Sequence, residues 1–259
     1  MNRNDWKTVS GGAFKPAVLF TLSLLAPAAF ADNGHHGFDA TLTNCTELIG
    51  LGPVPFVTAR ALVPASYLLI PFNGSAGLVI RAARCEEVGI DKGAAQPAIV
   101  AQVGIAVVSP DGSGDINNYT LLYSTDNDRL AKELGQAGQP AVLDQNLRYE
   151  FSPDAFGNGE IYSAVSPALQ PAWFLTGSAG TPPPGGVPTV ANWWFDGSRG
   201  VVKVSTSIPS ISYGPATFSL HTSKSSLLAS LIGGNTYGAF VFFNARGGFS
   251  GADLTVTVK

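Results

Sequence analysis

The chain has 259 residues, of which 45% are hydrophobic and only 13% are charged, and its formal net charge is −3. Such an apolar chain can bury a large core, which excludes general disorder, and its length fits one large domain better than two. With only 15 Lys and Arg residues, it lacks the clustered basic surface that a nucleic-acid groove requires. The 30 Gly and 18 Pro residues indicate many turns and few long helices.

Residues 1–31 are typical of a secretory signal peptide. A basic leader precedes the apolar stretch Ala17–Phe30, which ends in the small-x-small pattern Ala29-Phe30-Ala31 that signal peptidase requires. The alternative is a membrane anchor, but the stretch falls short of the roughly 20 apolar residues that cross a bilayer. We therefore expect a secreted or periplasmic protein that is cleaved near Ala31, begins at Asp32 and has no stable membrane insertion.

The mature part, residues 32–259, is predicted to form a single domain. Residues 32–38 are polar and predict a flexible arm. After them, short β-rich runs alternate with turn signals, a pattern typical of a sandwich or a barrel. The predicted strands are Pro53–Val63, Tyr67–Pro71, Gly77–Ala82, Ala98–Val108, Asn118–Ser124, Asn146–Phe151, Ile161–Val165, Trp173–Thr176, Ala191–Phe195, Val201–Ser207, Thr217–His221, Ala239–Asn244 and Leu254–Val258.

Two segments predict short peripheral helices. Thr125–Gly135 has N-cap candidates, an i,i+4 leucine pair and a terminal Gly, and Ser223–Ile232 begins with Ser and is followed by two glycines. The Pro- and Gly-rich stretch 180–188 is either a domain linker or a long loop. Because the strand pattern is similar on both sides of it, we interpret it as a loop within one domain.

The mature part contains two cysteines, Cys45 and Cys85. An even count in an exported chain predicts one disulfide, and the alternative is two buried thiols. No His lies near either cysteine, so neither zinc binding nor a catalytic thiol is indicated.

The segment Tyr123–Leu134, an extended run that ends in Thr125-Asp126 before a helix with spaced leucines, resembles the strand-to-helix element of the acetoacetate decarboxylase family. The stretch Ala59–Pro64 is loosely similar to another part of that fold. The resemblance covers about a tenth of the mature chain. It implies a mainly β fold: a single closed or nearly closed, mostly antiparallel barrel around an apolar cavity, here with two short peripheral helices. The family's enzymes form a Schiff base on a Lys beside a second Lys and a carboxylate, and this chain has no Lys-Lys pair.

Candidate catalytic residues follow from that chemistry only if the protein is an enzyme. A Schiff base requires a lysine that loses its proton near neutral pH, through burial or a neighbouring cation. Lys203 lies inside an apolar strand and faces the interior if Val202 and Val204 face outward; otherwise it lies on the outer face of the sheet. Glu150 and Glu160 are candidate general bases.

Aromatic and arginine side chains within the strands predict a ligand pocket. The aromatic candidates for its apolar wall are Phe174, Trp193, Trp194 and Phe242, although ordinary core packing also explains them. Trp193 and Trp194 must point to opposite faces if their segment is a strand. Arg81, Arg148 and Lys203 are candidate polar anchors, and an Arg could bind a ligand carboxylate through two hydrogen bonds or pair with a structural carboxylate.

No cofactor or metal site is predicted. His35 and His36 lie in the predicted arm, His221 lies in a strand, and no Gly-x-Ser-x-Gly motif supplies a nucleophile. Residues 111–118 place oxygen side chains at alternate positions, as calcium loops do, but Ile116 occupies the position where an EF-hand requires Gly. A Gly-rich turn explains this segment without a metal.

The sequence therefore favours an exported barrel that binds a small, largely apolar or amphipathic molecule without converting it. One alternative is a decarboxylase-like lyase acting on a keto acid or a related carbonyl compound. Another is a cell-surface structural component without a small ligand, for which a solid interior is expected. The sequence leaves open whether the chain forms a homo-oligomer.

Overall fold

The computed structural model describes residues 35–165 and 172–259. The predicted signal peptide lies outside the described residues. The elements in chain order are β1 (His35–Pro55), α1 (Phe56–Leu62), β2 (Ser75–Ile90), β3 (Gln96–Ala106), β4 (Ile116–Thr125), α2 (Asp128–Ala137), β5 (Val142–Leu143), β6 (Arg148–Pro153), β7 (Gly159–Val165), β8 (Trp173–Ala179), β9 (Val187–Gly197), β10 (Gly200–Thr222), α3 (Leu227–Ile232), β11 (Thr236–Tyr237) and β12 (Phe243–Val258).

Seven strands form a closed ring in the order β12-β1-β2-β3-β4-β9-β10, because β10 also pairs with β12. All pairings round the ring are antiparallel except β4 with β9. The prediction of a mainly β fold is confirmed. The strands are not disposed evenly round one axis, however, so the ring is not a regular barrel. One cause is unequal pairing, since β4 meets β9 only over Ile116–Tyr119, whereas β1 pairs with β2 from Ala40 to Pro55.

Strand β10 connects the ring to a second layer. The pairing of β9 with β10 shifts register between Ile208 and Ile211, and Pro209 lies in that interval. Proline cannot donate to a strand ladder and is found at bulges and edges. From Ala216 onward β10 pairs with β8, which continues the layer through β7 to β6. The two strands predicted at Val201–Ser207 and Thr217–His221 are therefore one bent strand.

The core has one part on each side of the ring wall. The first lies inside the ring and includes Val204, Phe249 and Val256, with Leu130 and Leu134 of α2 packed across one end. The second lies between the ring, the β6-β7-β8 layer and helices α1 and α3. Among the described residues, no helix is long and apolar enough to cross a membrane.

Several local predictions were wrong. The segment Pro53–Val63 contains the helix α1, which makes three helices among the described residues instead of two. Tyr67–Pro71 forms only an isolated bridge at Leu69, and residues 239–242 are irregular. The ring strand β1 was missed, and it begins at His35, inside the segment predicted to be a flexible arm.

Candidate functional site

The ring encloses an open cavity at the end opposite α2. Its outer part has a volume of about 450 Å³, within the range of small-molecule sites, roughly 300–1,000 Å³. The wall is mainly apolar and comes from β1, β2, β12 and the segment before β2; it includes Ile49, Leu51, Ile70, Phe72, Val79 and Phe243. We call this space the outer chamber.

A narrower space of about 40 Å³ continues inward and has Glu47, Arg81, Trp193, Thr206 and Ile208 in its wall. We call it the inner chamber. The two chambers adjoin, and six residues line both: Ile49, Val79, Ile116, Asn118, Thr189 and Tyr213. At about 10–15 Å³ of cavity per water molecule, the inner chamber has room for about three waters or a polar group of that size.

A charged network lines the inner chamber. Arg81 Nε donates to Glu47 Oε2 at 2.6 Å, and Arg81 Nη1 donates to Gln102 Oε1 at 2.7 Å. The side chains of Arg81 and Glu47 are only 15% and 3% exposed. The strand register explains these contacts. Glu47 on β1 pairs with Ala83 on β2, two residues from Arg81, so Glu47 and Arg81 are diagonal neighbours on one face. Arg81 pairs directly with Gln102 on β3. Burying either charge alone would be strongly unfavourable, so each member of the pair makes burial of the other tolerable.

Glycine at position 247 leaves room for Glu47. A Cβ atom there would lie 2.9 Å from Glu47 Cγ and 3.2 Å from its Oε1. The carboxylate therefore packs directly against the backbone of β12.

Two further polar side chains line both chambers. Asn118 is 2% exposed, and its Oδ1 has no hydrogen-bond partner among the described residues. Burial raises the pKa of Tyr213 to about 12, and the negative charge of Glu47 adds to this rise. A hydrogen bond with Thr189 and the positive charge of Arg81 act in the opposite direction and are the smaller effects. Tyr213 therefore stays a neutral hydroxyl at neutral pH.

Two of the predicted ligand residues, Arg81 and Trp193, lie in this cavity. Trp193 belongs to the core inside the ring, whereas Trp194 belongs to the core outside it. Trp194 Nε1 donates to Asn117 Oδ1 at 2.9 Å. The predicted opposition of the two rings is therefore present, and Trp194 is not a wall residue.

Lys203 faces away from the interior, because Val202 and Val204 point into the ring. Its Nζ lies 2.9 Å from Asp111 Oδ2, 2.5 Å from Ser113 Oγ and 5.2 Å from the centre of the Trp194 ring. The reading that placed Lys203 in the cavity is corrected by this orientation.

The other predicted site residues lie outside the two chambers. Arg148 and Glu150 are on β6 with side chains 64% and 59% exposed, and Glu160 is exposed on β7. Phe174 stacks on His221 in the second layer, with ring centres 4.8 Å apart. Phe242 stacks on Phe72 at 4.8 Å, and so it supports a wall residue without lining the cavity itself.

The sequence did not predict four residues of this site: Glu47, Gln102, Asn118 and Tyr213. A signal was present for Glu47 and Gln102, since each is a polar residue inside a strand with apolar neighbours on the same face. Only pairing across strands shows that they meet, and strand β1 was not predicted. Cys45 and Cys85 form the expected disulfide and pair directly across β1 and β2.

No protein-family model and no curated protein sequence matches the chain. Solved structures do match its fold. An acetoacetate decarboxylase is 12% identical with a TM-score of 0.54, and the match covers 86% of this chain and 89% of that one. The enzyme from Legionella pneumophila is 12% identical with a TM-score of 0.53 and 95% coverage of both chains. The chain has the acetoacetate decarboxylase-like fold. A third match is the enduracididine biosynthesis enzyme MppR complexed with pyruvate, 12% identical, TM-score 0.50, covering 85% of this chain and 88% of that one.

In this acetoacetate decarboxylase-like fold, the lysines of the described residues all lie away from the cavity. Lys92, Lys132, Lys224 and Lys259 are exposed, and Lys203 lies on the outside of the ring. Arg81 is the cationic side chain that lines the inner chamber. The described residues also contain no group of three or more His, Cys, Asp or Glu side chains arranged to hold a metal ion.

Proposed function

We propose that the protein binds a small, largely apolar molecule inside the ring and releases it unchanged. The observation that carries the proposal is a cavity of two adjoining, mainly apolar chambers, the inner of which has Glu47 and Arg81 among its lining residues. An apolar wall with few polar groups is typical of sites for small molecules. The cavity also gives no support to the alternative of a structural component with a solid interior.

The polar groups of the inner chamber support binding more than catalysis. A general base needs a carboxylate that is free to accept a proton, and a Schiff base needs a lysine. Here Glu47 is engaged by Arg81 at 2.6 Å, and no lysine of the described residues lines the cavity. Glu47 and Arg81 are therefore both engaged in their mutual salt bridge.

Tryptophan fluorescence tests the proposal, because Trp193 lines the inner chamber and its neighbour Trp194 does not. We expect titration with a medium-chain ketone or alcohol to change the emission of the wild-type protein. Trp193→Phe should abolish the change, and Trp194→Phe, the matched control, should retain it. A response that survives in Trp193→Phe and is lost in Trp194→Phe would place binding elsewhere and overturn the proposal.

A second candidate function is a decarboxylase-like lyase, which the shared fold favours. Fold similarity does not by itself transfer an activity. The test is incubation with a β-keto acid and borohydride, followed by intact mass measurement. A covalent adduct that disappears in Lys203→Arg, or release of carbon dioxide that depends on Glu47, would favour the lyase over the binding protein.

Export is a separate part of the proposal and rests on residues 1–31. The disulfide between Cys45 and Cys85 is compatible with an oxidising compartment. N-terminal sequencing of secreted or periplasmic material should return Asp32 as the first residue. Recovery of material that begins with Met1 would contradict cleavage.

A further inference from the structure

We propose that the cavity selects molecules with a neutral polar head, such as an alcohol or a primary amide, and rejects carboxylate ions. The inference rests on the proposed binding function and specifies its ligand class. It reverses the simpler expectation that a buried arginine in a pocket binds an anion. The reason is that the charge of Arg81 is already balanced within the wall.

Arg81 has hydrogen-bond donors that its contacts within the wall do not use. Its guanidinium carries five N–H donors, and the bonds to Glu47 and Gln102 use two of them. The others can donate to a ligand oxygen in the inner chamber. The net charge that such an oxygen meets is set by Arg81 together with Glu47, whose side chain is only 3% exposed. An anion placed there would add a second negative charge beside one positive charge, next to a carboxylate that is almost fully buried.

Tyr213 lies beside the same pair of charges. It lines both chambers, and the effect of Glu47, which raises its pKa, is larger than the effect of Arg81, which lowers it. Asp115 adds another carboxylate to the wall of the outer chamber. The charged side chains that line the cavity are Glu47, Asp115 and Arg81, so their sum is negative and disfavours an anionic ligand.

Asn118 provides a buried hydrogen-bond acceptor in the wall of both chambers. Asn118 is 2% exposed, lines both chambers and has a side-chain oxygen without a partner among the described residues. An unsatisfied buried acceptor is costly, and a ligand that donates to it removes that cost. A hydroxyl or primary amide carries both a donor, which suits the Asn118 oxygen, and an acceptor, which suits Arg81. A carboxylate can only accept.

The test compares three probes with the same ten-carbon chain: 1-decanol, decanamide and decanoate. Binding is measured by calorimetry on the wild-type protein at neutral pH. We expect decanol and decanamide to bind at least about tenfold more tightly than decanoate, because a ligand carboxylate beside the buried Glu47 carboxylate is strongly unfavourable. If decanoate binds as tightly as decanol or more tightly, the inference is wrong and the binding function stands. If none of the three binds, the proposed function itself fails.

A charge-neutralising variant gives the second arm. Glu47→Gln removes the negative charge and leaves Arg81 unbalanced, so decanoate should gain at least about tenfold in affinity relative to decanol. Glu150→Gln is the matched control, since Glu150 is exposed on β6 outside the cavity, and it should leave the ratio unchanged. An unchanged ratio in folded Glu47→Gln would contradict the inference. Should that variant not fold, the wild-type comparison still decides.

Discussion

At the residue scale, glycine at position 104 determines where Trp193 can lie. A Cβ atom at 104 would come within 2.6 Å of the Tyr119 carbonyl oxygen and 2.7 Å of Trp193 Cζ3. The indole therefore lies directly over the backbone of β3 and forms part of the inner-chamber wall. The lack of a side chain at position 104 therefore shapes this wall as much as the Trp193 indole does.

We predict that Gly104→Ala lowers the free energy of unfolding by about 1–3 kcal/mol, the usual cost of overpacking a well-packed site. It should also shift the emission maximum of the protein, because Trp193 must move. Gly135→Ala is the matched control: position 135 lies in helix α2, where an added Cβ meets nothing within 4 Å, and alanine there should stabilise by up to about 1 kcal/mol. Equal effects of the two substitutions in urea unfolding would contradict this account.

The residue scale also shows what alternation can and cannot predict. Alternation correctly separated Trp193 from Trp194, because that argument needs only the strand period. It gave two orientations for Lys203, and nothing local chose between them. Arg81 was a candidate on the same grounds as Arg148, and only the fold shows that Arg81 lines the interior while Arg148 is exposed.

At the element scale, strand β10 and the segment between β3 and β4 are joined by a charged contact. The carboxylate of Asp111 accepts from Ser113 and from the Lys203 ammonium at 2.9 Å, and the Lys259 ammonium lies 3.3 Å away. Partial burial would raise the pKa of Asp111, but hydrogen bonds from Ser113 and Lys203 and the charge of Lys203 together hold it well below its usual range. These contacts hold the segment between β3 and β4 against the outside of the ring.

We predict that Asp111→Asn lowers the free energy of unfolding at pH 7 by about 1 kcal/mol, a modest value because the pair is partly exposed to solvent. A carboxyl whose pKa is lower in the folded state stabilises the fold above its unfolded pKa, near 4, and this contribution is lost as the pH falls further. The difference between wild type and variant should therefore shrink below about pH 4. Urea unfolding at several pH values measures it, with Asp253→Asn, an exposed position on β12, as the control. A difference that stays constant into acid would contradict the assigned cause.

Element prediction succeeded where sequence signals were local. Helix α2 begins at one of the predicted N-cap candidates, with Asn127 Oδ1 accepting from Leu130 N at 2.9 Å, but it continues past the predicted terminal Gly135 and ends at Gly138 in the left-handed conformation. Helix α1 was predicted as part of a strand, and its first turn contains the β-branched residues Val57 and Thr58, which favour strands. Its residues Ala59, Arg60 and Ala61 favour a helix, and the Arg60 guanidinium donates to the carbonyl groups of Val63, Pro64 and Tyr67 beyond it. Strand β1 was missed although Phe38, Ala40 and Leu42 alternate as buried residues.

At the scale of the whole molecule, closure of the ring was implied by the family resemblance and by no single strand pattern. Uneven pairing and the departure of β10 into a second layer depend on contacts between residues far apart in the chain. The same is true of the cavity, whose polar wall takes Glu47 from β1, Arg81 from β2 and Asn118 from β4. Such a site has no short motif, because each strand contributes one or two side chains.

The disulfide joins β1 and β2 inside this closed ring. Cys45 and Cys85 are 40 residues apart in the chain, and a cross-link over that distance removes unfolded-chain entropy equivalent to about 4 kcal/mol. Neighbouring strands also pair through their backbone ladder on both sides of the bridge.

We therefore predict that the reduced protein keeps its fold but loses up to about 4 kcal/mol of unfolding free energy. Because both cysteines are buried, urea unfolding should be equilibrated in the presence and absence of reductant. The Cys45→Ala/Cys85→Ala double variant should match the reduced wild type and show no response to reductant. Identical unfolding curves for oxidised and reduced wild type would show that the bridge adds no stability to the ring.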